Sequence, residues 1–301
     1  MKRIDKSLYR EEFNVYSRDY LRDHLNRQGK FVPKLAEKKT YTDKFSANRY
    51  KKTAHPENSR FQGWRDILLA ETRGRCCYCM RHLDKDLMSF EHIVPESCEE
   101  TEYNYYAEKS LDIREYVELG SKFDEEAENG PIDIDSLTKF PHLIAHSNLF
   151  PACQNTGHGC SCNNHRGKER ILPLMLMSDT EEKVNYTEEG EMELLYDEDE
   201  DYMVSNTLTH LDINMGILKT IRKLWYKFSQ KQIVIPRNFA VDFGEMDTLM
   251  RLALDLSPTD IIPLEYQDLT REEKDGSLKN FSLFLKYNWF YTYYSNKYPL
   301  Q

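Results

Sequence analysis

Two groups of cysteines hold the clearest chemical potential in this chain. Cys76 and Cys79 stand in Cys76-Cys77-Tyr78-Cys79, and Cys153 is followed by Cys160 and Cys162 in CQNTGHGCSCNN. Thiolates paired in this way suit tetrahedral zinc, which takes four sulfur or imidazole donors at about 2.3 or 2.0 Å. The spacing predicts Cys76, Cys79, Cys153 and Cys162 as the ligands, with His158 and Cys160 as substitutes in the irregular second group. Between the groups lies Phe90-Glu91-His92-Ile93-Val94-Pro95. A carboxylate and an imidazole next to each other on a strand point to opposite faces, but at a strand end they can converge on one metal-bound substrate. Further on come Asn148, in Ser147-Asn148-Leu149-Phe150-Pro151, and the run Asn163-Asn164-His165-Arg166-Gly167-Lys168. Each has an ordinary explanation alone, as a core histidine, a turn asparagine or a helix cap. Their order with the cysteines is what chance rarely supplies.

The elements that must position these residues are short. Trp64, Ile67, Leu68 and Glu71 recur at helical spacing and stop at Gly74. Cys77–Met80 and Met88–Val94 are of strand length and flank the polar turn Leu83–Asp86, which predicts a hairpin. A helix is expected near 8–27 and another around Glu102–Leu119. The C-terminal part reads as helices over Thr207–Gln230, Glu245–Leu256 and Asn280–Tyr298. The pattern divides the chain into a basic N-terminal helix and arm (1–60), a central domain (61–175) with an acidic insertion (96–146), and a helical C-terminal region (176–301). The class is α+β.

Composition narrows the partners. The 301 residues are 40% hydrophobic and 31% charged, with a net charge of -10. Residues 1–86 hold 21 Lys/Arg against 12 Asp/Glu, and the remainder 20 against 39. A basic N-terminal third suits phosphates, and the stretch Lys38 to Lys52, with Tyr41, Phe45 and Tyr50, is its best nucleic-acid candidate. No apolar run approaches a membrane span. The opening MKRIDKSLYREEF has no apolar core of a secretory signal, which predicts a reducing, cytoplasmic setting where cysteines bind metal rather than form disulfides. No G-x-x-x-x-G-K-[ST] sequence is present, so nucleotide hydrolysis is not encoded here.

The order CxYC, EHIVP, NLFPAC, CNNHRG resembles the HNH nuclease finger with its zinc knuckles, over residues 75–170. That resemblance implies a ββα-metal site embedded in a mainly helical protein. It implies His92 as general base, Glu91 as a ligand of a catalytic Mg2+ or Mn2+, and Asn148 as the residue that orients the histidine loop. Asn163 becomes the second ligand of that ion, with His165 its rival in a shifted register. Arg166 and Lys168, one turn along the same helix, are the expected contacts of the scissile phosphate.

A looser likeness takes in MKRIDK and NTLTHLDINMGILKTIRKLW and resembles the PtuB-type nuclease subunit of Septu and retron anti-phage systems. It implies an ABC/SMC-like, PtuA-like ATPase as partner; the favoured substrate is DNA, with RNA left open. The acidic segments 96–128 and 179–201 and the aromatic stretch 287–298 are then the expected docking or autoinhibitory surfaces. The rival reading is a zinc-finger module that binds nucleic acid or a protein without catalysis.

Overall fold

In the computed structural model, the structure describes residues 1–28, 61, 63–83, 88–153, 162–167, 169–197, 202–214, 216–235, 243–274 and 279–299. The arm from Lys38 to Lys52, His158, Cys160 and Lys168 therefore lie outside the described residues, as do the side chains of Asn163 and Asn164.

The chain opens with α1 (Arg10–Gln28). Phe13, Tyr16, Ser17, Tyr20 and Leu21 form its buried stripe at helical spacing, and Glu11 and Glu12 sit in the first turn, where carboxylates favour the helix dipole. Helix α2 (Trp64–Glu71) stacks Trp64 on Phe13 at 5.3 Å. Strand β1 (Met88–His92) follows. The insertion folds as α3 (Glu100–Lys109), α4 (Leu111–Tyr116), β2 (Val117–Glu118), α5 (Gly120–Asn129) and β3 (Phe140–Pro141). One helix was expected over 102–119; instead the Ser110 side chain accepts the Ile113 amide, ending α3 and capping α4. A 3-10 turn, His146–Asn148, leads into β4 (Leu149–Cys153), and α6 (Cys162–Arg166) comes next.

The expected hairpin does not form. Among the described residues, β1 pairs antiparallel with the distant β4, setting Glu91 against Phe150 and His92 against Leu149. The segment at Cys77 is a turn, because Met80 takes φ 63° and donates its amide to the Cys76 carbonyl at 3.2 Å. Among the described residues the sheets are two-stranded: β1–β4, the parallel pair β2–β3, and a hairpin inside the second acidic stretch.

That hairpin is β5 (Val184–Tyr186) and β6 (Met192–Leu194), preceded by α7 (Thr180–Lys183). The C-terminal helices are α8 (Met203–Leu211), α9 (Gly216–Gln230), α10 (Phe243–Ala253), α11 (Leu264–Thr270), α12 (Phe281–Leu285) and α13 (Trp289–Lys297). Leu218, Ile221, Leu224, Trp225 and Phe228 line the buried face of α9. Trp225 stacks on Phe284 at 4.2 Å, and Tyr226 meets Tyr294 edge-on. Much of the 287–298 stretch is core: Phe290 and Tyr294 are buried, and Tyr186 touches Trp289, Phe290 and Tyr293.

One hydrophobic cluster runs from Met1 to Tyr294 through all three sequence segments. No described helix is long and apolar enough to cross a membrane.

Candidate metal centre and histidine site

The structure brings together the four cysteines that the spacing singles out. The sulfurs of Cys76, Cys79, Cys153 and Cys162 lie within 4.8 Å of one another, all buried. Cys79 and Cys153 are 3.8 Å apart at sulfur, about the edge of a tetrahedron whose metal–sulfur distance is about 2.3 Å. The cluster is able to hold a metal ion and is compatible with zinc. Further donors point at the sulfurs: Cys162 N reaches Cys153 at 3.4 Å and the Tyr287 hydroxyl reaches Cys79 at 3.6 Å. Against desolvation, which favours the thiol, hydrogen bonds from Cys153, Cys162, Cys77 and Cys79 hold Cys76 well below the ordinary thiol range. Cys153 and Cys162 move up in exchange. Four thiolates this close need a cation to ionise together.

Glu91 and His92 do not converge, because the strand turns them to opposite faces. The Glu91 carboxylate is buried, accepts a hydrogen bond from the Tyr78 hydroxyl at 2.9 Å, and forms a salt bridge with Arg166. That guanidinium also donates to the His92 and Ile93 carbonyls and to the Tyr106 hydroxyl. Burial works against its charge, but the oxygens of Tyr78, Glu91 and Tyr106 outweigh it and hold Arg166 above the ordinary arginine value. These contacts correct two expectations. Arg166 is enclosed and fully engaged, so it does not reach a substrate phosphate. Glu91 already faces a fixed cation, so it does not fit as a ligand of Mg2+ or Mn2+.

His92 is held from the other side. Its Nε2 is 3.0 Å from the Leu143 carbonyl, and its Nδ1 is 3.7 Å from Glu96 Oε1. Asn148 fixes the same loop: Val94 N donates to its Oδ1 at 2.6 Å, and its Nδ2 donates to the carbonyls of Val94 and His142. His142 closes the ring, accepting Gly120 N at Nδ1 and reaching the Glu96 carbonyl with Nε2. His165, the rival metal ligand, is 38% exposed and has Asp212 at 3.4 Å. Asn163 lies in α6, beside Cys162.

Four participants went unread in the sequence: Tyr78, Glu96, Tyr106 and the Leu143 carbonyl. Tyr78 sat in plain view inside the C-x2-C. Glu96 stands four residues from His92, one carboxylate among many in an acidic stretch, while Tyr106 acts across the insertion and Leu143 through its backbone, where residue type gives no signal.

Compared with family models, curated protein sequences and solved structures, the chain matches none. Its own geometry carries the functional argument.

Proposed function

We propose that the chain is an HNH-type endonuclease that hydrolyses phosphodiester bonds of DNA, with His92 as general base and one structural zinc on the four cysteines. The observation that carries this reading is the fixing of His92 by Leu143. A carbonyl can only accept, so the contact at 3.0 Å assigns the proton of the neutral ring to Nε2 and leaves a lone pair on Nδ1. An imidazole oriented by a second group is what a general base requires. Two further features support the reading. The order of β1, β4 and α6 follows the strand–strand–helix order that the resemblance implies. Asn148, buried between the Val94 and His142 carbonyls, suits the loop-orienting role.

In this reaction Nδ1 takes a proton from water while the water oxygen bonds to phosphorus. The bond from phosphorus to the 3′ oxygen breaks, and that oxygen takes a proton from solvent, leaving 5′-phosphate and 3′-hydroxyl ends. Nucleases of this type use a divalent cation, but Glu91, paired with Arg166, does not fit as its ligand. By the PtuB-type likeness, the setting is a cytoplasmic anti-phage complex whose ABC/SMC-like ATPase supplies the nucleotide-binding motif.

The test is plasmid cleavage by wild type and His92→Ala with Mg2+ or Mn2+, alone and with the neighbouring ATPase. A general base contributes about 10² to 10⁴ in rate, so nicking should fall by at least about a hundredfold in the variant. Equal nicking by both proteins would reject His92 as the base. A wild type that binds DNA but cuts under none of these conditions would leave the non-catalytic module.

A further inference from the structure

The first cysteine turn carries positive charges that the histidine site does not use. Arg75 and His82 face each other across an isolated antiparallel bridge. Leu83 N donates to the Gly74 carbonyl at 2.7 Å, and Cys76 N to the Arg81 carbonyl at 2.8 Å. These bonds close residues 73–83 into one loop. The His82 ring lies so near Gly74 that an added methyl would sit 3.3 Å from Nε2. Arg73, Arg75, Arg81 and His82 therefore share a small area.

Among the described residues, no carboxylate pairs with any of the three arginines. Arg75 donates to neutral acceptors, the Met80 carbonyl at 3.4 Å and Asn288 Oδ1 at 3.3 Å. Burial, and then the like charge of Arg73, hold it below the ordinary arginine value. Arg73 is exposed. Arg81 is 2% exposed, and its Nε and Nη1 have no partner at all. Unpaired buried donors are costly, and like charges without a counter-charge repel. The chain has 51 acidic residues, so carboxylates are not scarce, yet none of the described ones pairs with an arginine of this loop.

Planar guanidinium groups match phosphate oxygens two at a time, and several such groups close together suit a repeating anion. We propose that the loop of residues 73–83 is a phosphate-backbone contact, on which Arg73 and Arg75 hold a DNA strand. Two bonds join the loop to the β1–β4 pair that carries His92. Tyr78 donates to Glu91, the neighbour of His92 in β1, and Cys77 N donates to the Pro151 carbonyl in β4 at 2.9 Å. The proposal rests on the nuclease reading for the identity of the polyanion. It gives Arg73 and Arg75 the phosphate role that burial denies to Arg166.

The test uses the full chain carrying His92→Ala, so that duplex DNA is bound without being cut. Fluorescence anisotropy with a labelled duplex is followed across salt concentrations, with and without Arg73→Gln and Arg75→Gln together. Each lost phosphate contact flattens the plot of log affinity against log salt by about 0.9. The pair should lower affinity at least about tenfold and flatten the slope by about 1 to 2. Unchanged affinity and slope in the double variant, with the parent's metal content and melting temperature, would overturn the proposal. Displacement of the labelled duplex by poly-glutamate as readily as by unlabelled duplex would assign the loop to an acidic protein, and would overturn it too. A wild type that fails to cut while the arginine pair still controls binding counts against the nuclease reading and supports this one.

Discussion

Asn148 and Val94 are bonded to each other twice, through the Val94 amide to Oδ1 at 2.6 Å and through Nδ2 to the Val94 carbonyl at 3.0 Å. A second bond from Nδ2 to the His142 carbonyl, at 2.7 Å, ties in the segment whose next residue, Leu143, holds His92. The side chain thus connects the end of β1 to the turn before β4, with no water access.

Replacing Asn148 should damage both fold and site. Asn148→Ala leaves two carbonyls and one amide without partners, at about 1–3 kcal/mol for each buried group left unpaired. Asn148→Asp sets a carboxylate against two carbonyls and should cost more. Denaturant midpoints read the loss. On the nuclease reading, cleavage should fall further than stability alone explains, because His92 loses its orientation. An Asn148→Asp protein as stable as wild type would contradict the bonding described here.

Acid should weaken the fold through His146. This residue is buried, its Nε2 lies 2.5 Å from Glu71 Oε1, and its Nδ1 has no partner. Glu71 also holds the buried Lys6 at 2.8 Å, and Lys6 donates to the Leu149 carbonyl. Burial first, and then the Lys6 charge, push His146 down to about 4, although Glu71 pulls the other way. The unpaired Nδ1 explains why burial prevails: a second proton would find no acceptor. The folded value lies below the unfolded one of about 6.5, so the unfolded chain binds more protons between them. The contribution of His146 is therefore complete above about pH 6.5 and is lost as pH falls toward 4, on the order of 3 kcal/mol. Urea titrations across that window should show a steep slope in wild type and a shallower one in His146→Gln. Identical slopes would mean that His146 is charged in the fold.

The same cluster shows where the sequence stops being readable. The cysteine set, the Glu-His pair and Asn148 stand out because each depends on residue type at short range. Lys6, Glu71 and His146 carry no such mark, being ordinary polar residues until three distant segments bury them together. The partner of β1 was hidden for a similar reason: the insertion separates it from β4, and the nearer segment at Cys77 has comparable strand character. In the second acidic stretch, Val184 and Tyr186 face Leu194 and Met192 across a hairpin, but the flanking carboxylates mask that alternation. The direction of Arg166 depends on which side of α6 meets β1, and composition does not encode it.

Metal should leave with any of four cysteines and not with the others. Cys76→Ser, Cys79→Ser, Cys153→Ser and Cys162→Ser each remove a donor from the cluster. Structural zinc binds with an apparent ~10 kcal/mol or more, so these variants should lose bound metal and melting temperature together. Cys77→Ser is the informative control. Its thiol is buried beside the cluster and pushed up by desolvation, yet it lies outside the ligand group. It should keep one metal per chain by elemental analysis at a cost of only about 1–3 kcal/mol for the buried hydroxyl. Loss of metal from Cys77→Ser alone would redraw the ligand set.

The Glu91–Arg166 pair separates a structural carboxylate from a metal ligand. Each side chain is enclosed, and each has the other as its charged partner. Removing one partner of a buried pair typically costs 3–5 kcal/mol, about what is expected for Glu91→Gln and for Arg166→Met. Replacing both with apolar residues of similar volume, Glu91→Leu with Arg166→Met, removes the stranded charge and should cost less than the two single losses added together. A ligand of a catalytic ion would behave in the opposite way. Glu91→Gln would then leave the melting temperature unchanged or raised, because carboxylate repulsion around an empty ion site is relieved, while cleavage disappeared. Thermal denaturation of the three variants, measured in chelator and again with added Mg2+, decides between the two. A shared loss in Glu91→Gln and Arg166→Met that is partly recovered in the double variant and indifferent to Mg2+ places Glu91 in the scaffold, fastening α6 to the end of β1 and so setting the backbone from which His92 projects.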